Sequence, residues 1–324
     1  MTFIDTIKQF KDKNILVVGD SIIDVSVFGE AIGISLETPT LKALEKETEY
    51  SYGGAANVVE NILELGAHCT FITLSGSDEY NNEVFNKFKH PNLTLVLIND
   101  KHRKNSIKKR YWVSTKGQNY KVLQLNSGSK EPITQQICGK IVTAFSHYIR
   151  NKDVVLFIDY RNGMLTNSLI KSLMDISRFN NVKTISSSQV SNNDANHNWY
   201  AGSDIICLNH EEANKNIDNF SISDLPDLSK KLNSSICLTS GRNGSAFYNK
   251  VNKKTILQVA TKVEEVDPCG AGDCFLAILS ICDLNEKIKE SLVVCNVWAG
   301  LSIAHIGTKI PNKKDLISSL ELYN

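Results

Sequence analysis

Apolar residues in this chain follow two rhythms. In the first, runs such as "NILVVGD" (14–20), "CTFITLSG" (69–76), "DVVLFIDY" (153–160), "SDIICLN" (203–209) and "SSICLTSG" (234–241) carry few polar interruptions. "LTLVLI" (93–98) and "VKTISSS" (182–188) are shorter members of the same class. Strands covered on both faces read this way. Between them lie segments with helical spacing: "GGAANVVENILELG" (53–66), closed by Gly66, a stretch from Asp78 to about Lys89, "ITQQICGKIVTAFSHYIR" (133–150) and "TNSLIKSLMDISRF" (166–179). The run from Cys274 to Gly307 reads as two consecutive helices. Strands alternating with helices predict an α/β fold, a doubly wound, mostly parallel sheet with helices on both faces.

The second rhythm appears in two places. Residues 25–51 and 105–128 alternate polar and apolar positions, with turn residues between. That pattern predicts antiparallel strands with one solvated face. Together the two segments form a small β sheet inserted into a domain of residues 1–324, where it would act as a lid.

Composition narrows the function without choosing it. The 324 residues are 42% hydrophobic and 22% charged, with net charge +1, so no whole-chain field points to nucleic acid or a membrane. The first fourteen residues carry charges throughout and do not read as a signal peptide, and the apolar run around Val293 is interrupted by Asn296, Ser302 and His305. The expectation is a cytoplasmic protein with a small-molecule partner. Eight cysteines occur without a C-x-x-C pair, mostly inside apolar strings, and the seven histidines do not cluster. Reduced, buried thiols are expected rather than a zinc site.

Chemistry concentrates in "DPCGAGDCF" (267–275). The flanking cysteines suggest thiol or metal chemistry; the glycines suggest a nucleotide turn or a phosphate cradle. A dinucleotide fingerprint needs a third glycine where Phe275 stands, and no G-x4-G-K-[ST] loop is present. A Gly-rich turn opening a helix aims the amides of Gly270, Ala271 and Gly272 at one spot, with Asp273 on the same first turn. That carboxylate could accept a hydroxyl proton during phosphoryl transfer, or simply cap the helix.

Other candidates follow strands. Asp20 and Asp24 close the first run, where open α/β sheets bind ligands. Gly53, Gly54 and Asn57 open the helix after the first lid segment, and Asn57 can both donate and accept toward hydroxyls. Asn209 and Glu212 follow another strand, as a helix cap or as a water-mediated Mg²⁺ position. Thr239 and Gly241 end the next. The stretch "KHRKNSIKKR" (101–110) holds six Lys/Arg, of which Lys108 and Arg110 are the candidate anion ligands.

In this order the motifs resemble the PfkB or ribokinase-like carbohydrate kinases. Gly53-Gly54, Asn57, Gly66 and Gly76 match the first signature of that family, Asn209-x-x-Glu212 a middle motif, and Asp267-Pro268-x-Gly270-Ala271-Gly272-Asp273 with Ala277 the last. Val59 and Ile278 depart from the small residues usual there. Within the family the nearest likeness is to the kinase half of bacterial heptose-phosphate enzymes, through residues 19–40, "FIDYRNGML" and Lys108-x-Arg110. Gly33 and Leu36 replace an arginine and a proline of those enzymes, and Gln124-Leu125-Asn126 replaces an Arg-x-Asp.

The resemblance implies an ATP- and Mg²⁺-dependent kinase of a sugar or sugar-phosphate hydroxyl, forming a dimer through its lid. Asp273 would be the base and Gly270, Ala271 and Gly272 the anion hole. Asp24, Gly53, Gly54, Asn57, Lys108 and Arg110 would hold the acceptor, and Asn209, Glu212, Thr239, Gly241 and Asn296 would serve the nucleotide and Mg²⁺. Asp267 would help hold K⁺, with Cys269 where Thr or Ser is common. The alternatives are a kinase of a free sugar or nucleoside, a non-catalytic sugar- or nucleotide-binding protein on this fold, and a nicotinamide-dependent oxidoreductase.

Overall fold

The computed structural model describes residues 3–78, 80, 84–190, 194–284 and 287–322. After a short helix α1 (Phe3–Lys8), strand β1 (Asn14–Gly19) opens the main sheet. The chain then departs through β2 (Ser21–Ile34) and β3 (Leu41–Gly54), and returns by α2 (Ala55–Glu64), β4 (His68–Ser75) and β5 (Leu93–Asn99). It leaves a second time through β6 (Ser106–Thr115) and β7 (Gln118–Ser127). From there it stays with the main body, through α3 (Gln135–Tyr148), β8 (Val154–Asp159), α4 (Asn167–Phe179) and β9 (Lys183–Ser188). Next come β10 (Ile205–Asn209), α5 (His210–Asn214), α6 (Leu225–Leu232) and β11 (Ser235–Thr239). Strands β12 (Ser245–Asn249) and β13 (Lys254–Gln258) precede α7 (Ala271–Ile281), α8 (Ile288–Ser302) and α9 (Lys313–Glu321).

The main sheet has nine strands in the order β13-β12-β11-β10-β9-β8-β1-β4-β5. Pairing is parallel from β11 to β5 and antiparallel at the β11–β12–β13 edge. Alternate residues of each strand feed two cores. Ile15, Val17, Leu156 and Ile158 pack with α2, α7 and α8, while Leu16, Val18, Val155 and Phe157 pack with α3, α4 and α6. Burial on both faces is why these strands lack alternation. The edge strands β12 and β13 were not distinguished in the sequence, because "SAFYN" and "KTILQ" are short and follow a turn.

The second sheet runs β3-β2-β6-β7. Its two hairpins are antiparallel, as alternation predicts, but they join through a parallel β2–β6 pair. Parallel joining follows because both excursions leave from the same end of the main sheet. The helix expected over 78–89 lies partly outside the described residues; its described end is a single 3₁₀ turn, Phe85–Lys87.

Candidate functional site

Two helices meet where the sheets join. Helices α3, α4, α5 and α9 start with side-chain caps from Thr134, Thr166, Asn209 and Asn312. In contrast, α2 and α7 start at Gly54 (φ 60°) and Gly270 (φ 85°) with no side-chain cap. A left-handed cap at Gly270 turns the chain so that uncapped amides and the positive helix end face the cleft. Of the three expected amides, Ala271 N–H donates to Pro268 O at 3.3 Å, while Gly270 and Gly272 N–H have no partner among the described residues. A Cβ added at Gly272 would meet nothing within 4 Å, so this position opens onto the cleft.

Asp273 lies on the first turn of α7. Tyr160 Oη donates to its Oδ1 at 2.6 Å and Asn57 Nδ2 to its Oδ2 at 2.9 Å. Burial raises its pKa to about 6, against the lowering effect of the Tyr160 and Asn57 bonds and the Lys108 charge. A carboxylate of that strength is ionised at neutral pH yet close enough to it to take a proton. Lys108 Nζ lies 5.0 Å from the Tyr160 ring centroid and makes no ion pair among the described residues.

Asp24 and Arg110 both reach this region, but they are spent on each other. The guanidinium Nη1 is 2.8 Å from Asp24 Oδ1, and both residues are buried. Arg110 Nη2 also lies 3.3 Å from Cys269 Sγ, tying β6 to the loop ahead of α7. Each occupies the other, although Asp24 Oδ2 has no hydrogen-bond partner among the described residues. Gly53 is required beside it, since any Cβ there would come 2.6 Å from that oxygen.

Beside Tyr160 and Asp273, a cavity of about 170 Å³ is also lined by Asn209, Glu212, Thr239, Gly270 and Gly272. It adjoins one of about 650 Å³, which shares Asn209, Thr239 and Gly272 and adds Gly241, Ala271, Phe275 and Asn296. The larger volume is within the roughly 300–1,000 Å³ of ordinary small-ligand sites. Asn209 and Glu212 form a reciprocal capping box, Asn209 N–H to Glu212 Oε2 at 2.8 Å and Glu212 N–H to Asn209 Oδ1 at 2.9 Å. Burial raises the Glu212 pKa to about 7, the mark of a carboxylate without a cation beside it. Among the described residues no three His, Cys, Asp or Glu side chains are grouped to hold a metal. Such a donor set fits Mg²⁺ carried by phosphate oxygens and water, with Glu212 in support. Asn296 lines the larger cavity with its Nδ2 already occupied, donating to Ser245 Oγ at 3.1 Å and to the carbonyls of Gln258 and Val259.

Asp267 sits behind the loop, its oxygens accepting Cys269 N–H at 3.2 Å and Gly307 N–H at 3.0 Å. All eight cysteines are free, and Cys274 is buried in helix packing. Tyr160 has no role in the sequence reading; its signal is the Asp159-Tyr160 pair at the end of β8, the same strand end that open α/β sheets use for ligands.

Known proteins are similar to this chain. The bifunctional protein HldE of Campylobacter fetus is 29% identical over 306 residues, 91% of this chain and 64% of that protein. HldE of Aliarcobacter butzleri is 30% identical over 309 residues, 92% of this chain and 62% of that protein. The chain thus spans less than two thirds of these relatives. Among solved structures, ribokinase from Giardia lamblia superposes with a TM-score of 0.74 at 16% identity, covering 96% of this chain and 99% of that one. Phosphofructokinase-2 from Escherichia coli in complex with potassium gives 0.76 at 12% identity, covering 96% and 98%. At such identities the structures speak for the fold alone. The family model for pfkB family carbohydrate kinases matches residues 12–315, and the chain belongs to that family.

Proposed function

We propose that this kinase transfers the γ-phosphoryl group of ATP to a hydroxyl of a sugar phosphate, with a heptose phosphate as the first acceptor to test. The observation that carries the transfer is Asp273, an ionisable carboxylate held by two hydrogen bonds beside the uncapped start of α7. The acceptor hydroxyl gives its proton to Asp273 while its oxygen bonds to the γ-phosphorus. The bond from that phosphorus to the bridging oxygen breaks, and ADP leaves with the electron pair. The Gly270 and Gly272 amides receive charge on the migrating group. Mg²⁺ would supply positive charge to the phosphate oxygens, and Glu212 would help hold it. Thr239, Gly241 and Asn296 line the nucleotide cavity.

A phosphorylated acceptor is favoured by Lys108, whose charge stands over Tyr160 unpaired among the described residues. Gln124 Nε2 donates to Asn126 Oδ1 at 3.0 Å on exposed β7, so no arginine fork assists from there. The second sheet acts as a lid over this acceptor. Two copies meet through its outer face, where Leu123 and Leu125 are exposed. The Asp267 loop is the candidate position for K⁺, since each carboxylate oxygen accepts one N–H group and keeps a lone pair that would face the ion. Rates should be higher in K⁺ than in tetramethylammonium; equal rates remove the ion.

The deciding experiment is coupled ADP release with Mg²⁺ over heptose phosphates, hexose phosphates, free sugars and nucleosides. Turnover on the phosphorylated classes is expected. Efficient turnover confined to an unphosphorylated acceptor would overturn the acceptor class.

A further inference from the structure

The turn that carries Tyr160 is built around two buried acids. Tyr160 N–H and Asn162 N–H donate to Asp20 Oδ2 at 3.0 and 3.1 Å, and Arg161 N–H donates to Asp159 Oδ1 at 2.8 Å. Three successive backbone donors converge because Arg161 adopts φ 59°, a left-handed conformation that closes an anion-holding turn. Asp159 Oδ2 accepts from Asn196 Nδ2 at 2.8 Å, Tyr200 Oη at 2.9 Å and Ser188 Oγ at 3.2 Å. Neighbouring buried carboxylates are expensive, and they are a poor means of adding stability. Burial first, and the Asp159 charge second, push the Asp20 pKa up to about 7.

What this cradle holds in place is one phenol. Tyr160 leaves β8 directly beside Asp20 and reaches across the cleft to Asp273 Oδ1, while Asn57 takes Oδ2 from α2. A carboxylate bonded at one oxygen only can swing about Cβ–Cγ; one bonded at both cannot. Its unused lone pairs then keep a single direction, and orientation of that kind is worth large factors in rate.

We propose that Tyr160, seated on the Asp20–Asp159 cradle, is a positioning residue that fixes the Asp273 carboxylate in the orientation from which it takes the acceptor's proton. This rests on the reading of Asp273 as the base. Charged groups facing Asp273 are Lys108 on β6 and Asp24 on β2, with opposite effects on its proton, and both remain when the phenol hydroxyl is removed.

The test is steady-state ADP release from about pH 5 to 9 for the wild type, Tyr160→Phe, Asp20→Asn and Asp273→Asn. Tyr160→Phe should lower kcat about 10-fold with KM for ATP unchanged. Its acid limb should move to higher pH, because the lost bond favours the ionised carboxylate. Asp20→Asn, which keeps every side-chain volume, should lower kcat by a smaller factor. A folded Tyr160→Phe enzyme with wild-type kcat and an unmoved acid limb overturns the positioning role, as does an Asp20→Asn enzyme indistinguishable from wild type. Full activity in Asp273→Asn overturns the base itself, which is a separate failure.

Discussion

The two sheets of this protein solve opposite problems with similar residues. β1 presents "NILVVG" with all but its first residue buried, because helices cover both of its faces. β7 presents "QNYKVLQLNS" with every residue exposed, although it contains Tyr120, Val122, Leu123 and Leu125. The main sheet is closed by its own helices and supplies rigid strand ends. The second sheet is left open, which suits the lid and the contact with another copy proposed above. Asp24 pairs with Arg110 inside the thin sheet, and Arg110 in turn reaches Cys269 in the loop just ahead of α7. The proposed site lies at the seam, with the α7 amides on the rigid side and Lys108 on the thin one.

The strongest way to probe the rigid side is Asp273→Asn, which should cost about 10²–10⁴ in kcat while leaving ATP affinity within about twofold. Single-turnover kinetics with a calorimetric ATP titration checks both halves, and near-normal kcat would remove Asp273 from the role. Next is the seam. Arg110→Met leaves Asp24 buried without its partner and should destabilise the fold by about 3–5 kcal/mol in urea unfolding. Pairing it with Asp24→Asn should recover part of that loss, and an additive double variant would deny the coupling.

On the thin side, Leu123→Glu with Leu125→Glu should convert a dimer to monomers in sedimentation velocity while the main sheet stays folded. A wild-type chain that already sediments as a monomer sinks the dimer. The smallest effect belongs to Glu60 on α2, whose pKa burial raises from 4.5 to about 8. A raised acid favours the protonated folded state. Its contribution is complete below about pH 4.5 and is lost as pH rises through about 8. Glu60→Gln should flatten the fall of Tm across that window, and an unchanged slope would show that Glu60 is solvated.

How much of this was legible depends on the range of the interaction. The strands of the main sheet, the helix closed by Gly66 and the Gly270–Asp273 turn are local matters of periodicity and turn chemistry, and they stand where the sequence puts them. Strands β12 and β13 escaped because their pairing, not their pattern, defines them. The parallel β2–β6 pair escaped because alternation fixes which face a residue takes, and says nothing of which strand lies beside it.

The sequence alone determined the fold class, the family likeness and the short turns that carry glycines and acids, because each is encoded within a few residues. Tertiary structure alone decided what those acids do. Asp24 meets Arg110 across 86 positions, and Tyr160 meets Asp273 across 113. Such bonds depend on which strand ends the packed sheet brings together, and a carboxylate acquires its strength and direction only from those neighbours.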